Sequence, residues 1–136
     1  MKDLILIVED ESSMAKQLKW GLSDLYDITL AQDAESALDV LNGRDPRAVI
    51  LDLGLPPMPD SAEEGLRLLE EMLGRRPGLK VIVVTGNTER DNAVKAVSLG
   101  AYDFHTKPVD LEELRIVIKR ALYLSRLERQ VSELEG

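Results

Sequence analysis

The sequence predicts an α/β protein, a parallel sheet covered on both faces by helices. Five short apolar runs recur along the 136 residues, and each is followed by a stretch with apolar side chains at spacings of three and four. The runs are apolar throughout rather than alternating, as expected of strands buried on both faces. The order of the strands in the sheet is not legible from these patterns.

The first run, Leu4-Ile-Leu-Ile-Val8, is rich in branched side chains and ends at Glu9-Asp10-Glu11. Ser12 or Ser13 can cap a helix that carries Met14, Leu18, Leu22 and Leu25. Tyr26 to Ala31 resumes an extended pattern. Asp33 then caps a helix with Ala34, Ala37, Leu38 and Leu41 on one face, ended by Asn42-Gly43. Ala48-Val-Ile-Leu-Asp-Leu53 is a third strand, broken by Gly54-Leu-Pro-Pro-Met-Pro-Asp60, whose prolines cannot donate a backbone hydrogen bond. Ser61 and Glu64 predict a capping box before Leu66, Leu69, Met72 and Leu73, and Pro77-Gly78 closes that helix. Lys80 to Val84 is a fourth strand. Asn87 or Thr88 starts a helix through Val94 and Val97, Gly100 stops it, and Ala101 to His105 is a fifth strand. Val109, as a hydrophobic staple, and Asp110 with Glu113, as a capping box, mark the start of the last helix.

That last helix is predicted from about Asp110 to Glu135, roughly 39 Å at 1.5 Å per residue, longer than a small sheet can cover. Leu114, Val117, Ala121 and Leu124 suit packing on the domain. Leu124, Leu127, Val131 and Leu134 keep a three-four-three spacing beyond it, so one apolar seam hands over to another. The expected organisation is a domain over residues 1–122 and a coiled-coil-like extension over 123–136. The extension either pairs with a partner helix or frays into solvent, and an output module is expected after Gly136.

Acidic residues outnumber basic ones by 25 to 17, and the net charge of −8 argues against this segment gripping a nucleic acid or an anionic membrane. The absence of cysteine excludes disulfides, thiol catalysis and Cys-ligated zinc. No secretory signal pattern is present, and the apolar runs are far shorter than the ~20 residues that span a bilayer. The expected location is the cytoplasm.

In open parallel sheets, ligands bind at the carboxyl ends of the strands. The residues there are Glu9 and Asp10, Asp52, Thr85 and Lys107. Three clustered carboxylates repel one another by about 1–4 kcal/mol per pair at surface dielectrics, and a bound divalent cation relieves this. An open, all-oxygen site suits Mg²⁺. Each residue also has a plainer reading: Glu9 and Asp10 begin a helix, Asp52 caps a turn, Thr85 starts a turn with Gly86-Asn87, and Lys107-Pro108 is an ordinary kink, cis or trans. Together, however, they provide a carboxylate nucleophile, a cation, a hydroxyl and an ammonium, the parts of a phosphoryl-transfer site. His105, the sole histidine, reads as an ordinary strand-end residue.

Glu9-Asp10, Asp52-Leu-Gly-Leu-Pro-Pro57, Val84-Thr85-Gly86 and Gly100-Ala-Tyr-Asp-Phe104 through Lys107-Pro108 resemble the receiver domain of bacterial response regulators, of the CheY-like superfamily, over residues 3 to 122. The resemblance implies a flavodoxin-like (βα)5 sheet in the order 2-1-3-4-5. It implies phosphorylation of Asp52 by the phosphohistidine of a sensor kinase. Mg²⁺ would be held by Asp10, Asp52 and the Gly54 carbonyl, with Glu9 acting through water. Thr85 would sense the phosphoryl group, Lys107 would pair with it, and Phe104 would switch rotamer. Because Phe104 has no hydroxyl, that switch would be one of packing. One departure stands out: where many receivers have a glycine eight residues after the aspartate, this chain has Asp60, with Gly65 thirteen residues on, so the loop reads as about five residues longer. Gly54 and Asn87 occupy positions that set phosphoryl lifetime in the family, and a small Gly54 is expected to leave room for an attacking water.

The long last helix and Lys107-Pro-Val-Asp-Leu-Glu-Glu-Leu114 resemble receivers placed ahead of a sigma-54-dependent ATPase activator, in which the helix pairs two receivers. The longer loop is also similar to that of regulators of exopolysaccharide and protein-sorting systems. A stand-alone receiver acting by protein binding is the alternative. A phosphatase of the haloacid dehalogenase type is more remote, because it would carry a second acidic residue at position 54. A flavin-binding module would need a phosphate loop where Glu9-Asp10-Glu11 stands.

Overall fold

The computed structural model describes residues 2–86 and 90–135. The apolar runs form β1 (Leu4–Val8), β2 (Asp27–Ala31), β3 (Ala48–Leu51), β4 (Lys80–Thr85) and β5 (Asp103–Thr106). They alternate with α1 (Ser12–Leu22), α2 (Ala34–Gly43), α3 (Glu63–Arg75), α4 (Arg90–Ser98) and α5 (Leu111–Glu135). All neighbouring strands are parallel, in the order β2-β1-β3-β4-β5. This is the flavodoxin-like arrangement expected from the resemblance.

Side chains on a strand alternate between faces, so each central strand feeds two cores. Leu6, Val8, Val49, Leu51, Val81 and Val83 pack with residues of α2 and α3 and with Ala96 of α4. Ile5, Ile7, Ala48, Ile50, Ile82 and Val84 pack with α1 and with Leu114, Val117, Ile118 and Ala121 of α5. Burial on both faces is why these strands read as unbroken apolar runs.

Three helices depart from expectation at their ends. At α1 the N-cap is Glu11, not a serine, and the Ser13 hydroxyl donates to Glu11 Oε1 at 3.0 Å. This helix ends at Leu22, which leaves Leu25 half exposed instead of on the packed face. At α3 the Ser61–Glu64 box does not form: the N-cap is Ala62, and Glu64 pairs with Arg67 at 3.3 Å. The reason is a backbone contact, because the Gly65 N–H donates to the Leu53 carbonyl at 3.2 Å. A Cβ at position 65 would stand 2.3 Å from Leu53 Cα, so glycine is what lets α3 lie directly on the end of β3. At α5, Asp110 caps Glu112 N at 2.9 Å and Glu113 N at 3.4 Å, while the Glu113 carboxylate lies 3.8 Å from His105 Nδ1 and does not close a reciprocal box.

Elsewhere the caps agree with the sequence. Asp33 and Ser36 form a reciprocal capping box on α2, and Gly100 takes φ +109° where α4 ends. Asn87 and Thr88, the expected start of α4, lie outside the described residues. Among the described residues no helix is long and apolar enough to cross a membrane. Beyond Leu122, α5 is tied to the body by Lys80 Nζ to Glu128 Oε1 at 2.7 Å and by Arg129 to Asp45 at 3.8 Å. Leu127, Val131 and Leu134 are exposed along this extension.

Candidate functional site

Sheet register brings the polar residues together. Val8 pairs with Leu51, so the residues that follow the two strands, Glu9 and Asp52, leave the sheet side by side, and the Asp52 N–H donates to the Val8 carbonyl at 3.0 Å. On the other flank Thr85 pairs with Thr106, and the Lys107 N–H donates to the Thr85 carbonyl at 2.9 Å. The Lys107–Pro108 peptide is cis. Glu9, Asp10, Asp52, Gly54, Thr85 and Lys107 thereby line one cleft of about 550 Å³ at the carboxyl ends of the strands. Every strand-end residue singled out in the sequence is in it.

Asp52, Glu9 and Thr85 are buried, while Asp10 is half-buried. Lys107 Nζ bridges the two buried carboxylates, 2.5 Å from Glu9 Oε1 and 3.0 Å from Asp52 Oδ2. The other Asp52 oxygen accepts the Gly54 N–H at 3.1 Å, and Glu9 Oε2 accepts the Glu11 N–H at 3.3 Å. Burial pushes the Glu9 carboxyl up to about 7; the neighbouring Asp52 adds to the rise and the Lys107 ammonium opposes it. Burial alone would lower the Lys107 pKa, but its hydrogen bonds to Glu9 and Asp52 outweigh this and raise it. The ammonium is therefore charged at neutral pH and acts as the internal counter-ion of the cleft.

Ligand oxygens of Glu9, Asp10 and Asp52 lie within 4.8 Å of one another. This donor set is all oxygen, multiply charged and open to solvent, which fits a hard divalent cation such as Mg²⁺ rather than a metal preferring nitrogen or sulfur. Phe104, half-buried on β5, packs against the core on the α2–α3–α4 side of the sheet.

Gly54 is required by the path of its loop: a Cβ there would run into the Pro59 carbonyl. The longer β3–α3 loop folds back so that the Pro59 backbone lies against Gly54. The chain also lacks, at Gly54, the second acidic residue of a dehalogenase-type site. Pro59 and Asp60 also line the cleft, as do Glu11 and Gly86. The extra loop length and its prolines were the only sequence signal for Pro59, because a carbonyl contact carries no residue signature. Asn87 lies outside the described residues.

Fold and site together define a parallel α/β module with an acidic cleft at the carboxyl ends of its strands. Comparison with known proteins makes this specific: the response regulator receiver domain family matches residues 5–119, and the chain belongs to that family. Receiver domains bind Mg²⁺ at an acidic pocket and interact with histidine kinases of two-component systems. The chain is 36% identical over 132 residues to the nitrogen assimilation regulatory protein NtrX of Azorhizobium caulinodans, covering 96% of this chain and 28% of that protein. It superposes on the crystal structure of NtrX from Brucella abortus in complex with ADP with a TM-score of 0.88 at 40% identity, over 98% of this chain and 30% of that one. It superposes on a CheY-like receiver domain protein from Methanospirillum hungatei with a TM-score of 0.86 at 31% identity, over 94% of this chain and 99% of that one. The chain thus spans less than a third of the NtrX-type regulators it matches.

Proposed function

We propose that Asp52 accepts a phosphoryl group from the phosphohistidine of a sensor histidine kinase. The observation that carries this reading is the convergence of Asp52, Glu9, Asp10, Thr85 and Lys107 in one cleft. An Asp52 carboxylate oxygen forms the new bond to phosphorus as the phosphorus–nitrogen bond breaks, and the kinase imidazole leaves with the electron pair. Asp10, Asp52 and the Gly54 carbonyl would hold Mg²⁺, with Glu9 acting through water. When bound, the ion offsets the charge that builds on the transferred group. Lys107 gives up its bond to Asp52 and pairs with the phosphoryl oxygens. The Thr85 hydroxyl turns to the same group, and Phe104 repacks on β5 in response, converting occupancy into a change of surface.

We further propose that residues 1–122 form the receiver, and that 123–136 pair two receivers at the entrance to an NtrC-like sigma-54-dependent activator. The likeness to NtrX and the exposed Leu127-Val131-Leu134 seam support this. A stand-alone receiver is the second reading, favoured by the near-complete overlap with the Methanospirillum chain. The size of the natural polypeptide in its host separates the two.

The test of the first proposal is incubation with acetyl phosphate, with and without Mg²⁺, followed by intact mass measurement. One phosphoryl group should add only with the metal, and none in Asp52→Asn. Equal labelling of the variant would refute the assignment.

A further inference from the structure

We propose that a second, arginine-lined cavity, at the opposite end of the sheet from the acidic cleft, binds a small phosphate-class oxyanion. It lies among the loops that precede β3 and β4 and the extension of α5, and encloses about 360 Å³. A smaller cleft of about 140 Å³ shares Arg47, Ser125 and Arg129 with it.

The charges there do not balance. Three guanidinium groups face one carboxylate: Arg76 Nη1 holds Asp45 Oδ1 at 3.0 Å, while Arg47 Nη1 and Arg129 Nη2 approach Asp45 Oδ2 only to 3.6 and 3.8 Å. Those two distances are too long for hydrogen bonds. The Arg47 side chain is about a third exposed; its enclosed Nη1 has no hydrogen-bond acceptor among the described residues and only the Asp45 carboxylate as an ion-pair neighbour. Glu128, the other acid on the cavity wall, already holds Lys80.

The site is thus locally cationic in a protein of net charge −8. A tetrahedral oxyanion suits it better than a lone carboxylate, since several oxygens can accept from two guanidinium forks at once. The buried Ser125 adds a hydroxyl to the wall. Such a ligand would join Arg47 and Arg76 of the body to Arg129 of the α5 extension. It would brace the helix whose exposed side carries Leu127 and Val131.

The chain is titrated with inorganic phosphate and with pyrophosphate in low-salt buffer without divalent cations, so that the acidic cleft repels both, and backbone amide shifts are followed by NMR. Saturable shifts are expected at Asp45, Arg47, Arg76, Gly78, Leu79 and residues 125–132, with pyrophosphate binding tighter because it reaches both Arg47 and Arg129. Arg47→Gln and Arg129→Gln should each weaken binding at least about tenfold and leave acetyl phosphate labelling of Asp52 unchanged. Arg129 is a half-exposed helix residue, so that variant keeps the test open if Arg47→Gln does not fold. The same shifts from chloride at matched ionic strength, or unaltered affinity in a folded variant, would overturn the proposal.

Discussion

Glu9 couples the acidic cleft to pH. Its carboxyl titrates at about 7 in the folded chain against 4.5 for an unperturbed glutamate. The folded state therefore holds this proton more tightly than the unfolded state does. Its contribution to stability is complete below about 4.5 and is lost as pH rises through about 7. Without metal, urea unfolding should show a fall on the order of 1–3 kcal/mol between pH 5 and 8, and Glu9→Gln should flatten it; an equal slope in the variant would contradict this account. Lys107→Met removes the ammonium that separates Glu9 from Asp52 and should cost about 3 kcal/mol at pH 8. The loss should be smaller at pH 5, where Glu9 is protonated.

At the scale of elements, two glycines of α3 have different neighbours, and only Gly65 sets the junction with β3. Gly65 lies on the Leu53 backbone, whereas a Cβ on Gly74 of the same helix meets nothing within 4 Å. Gly65→Ala should therefore destabilise the chain by about 1–3 kcal/mol, because backbone must move. Gly74→Ala should be neutral or stabilise it by up to ~1 kcal/mol through helix propensity. Denaturant midpoints of the two variants check both signs. This junction also shows what was legible in the sequence. Asp33 with Ser36 and Asp110 cap through their side chains, and such caps are encoded in residue type. Ser61 and Glu64 have the right types in the right spacing, yet the start of α3 is fixed by a glycine N–H on the Leu53 carbonyl, just beyond the preceding strand. The approach of Pro59 to Gly54 was hidden for the same reason.

For the whole molecule, the strand-end residues were legible because a parallel sheet must present them at one edge, so naming the strands named Glu9, Asp10, Asp52, Thr85 and Lys107. The arginine cavity was not legible, since Arg47, Arg76 and Arg129 come from three distant segments that only the packed α5 extension brings together. That extension faces the body through Glu128 and Arg129 and turns Leu127, Val131 and Leu134 outward. Removing residues 123–136 should leave acetyl phosphate labelling intact and weaken self-association measured by light scattering; an equally strong dimer would place the interface elsewhere. Asp52 as the phosphoryl acceptor is tested most directly by chemical trapping. After acetyl phosphate and Mg²⁺, borohydride reduces an aspartyl phosphate to homoserine, and peptide mapping locates it. Homoserine at position 52 alone is the predicted result; homoserine at another carboxylate, or at none while the chain carries a phosphoryl group, would contradict it.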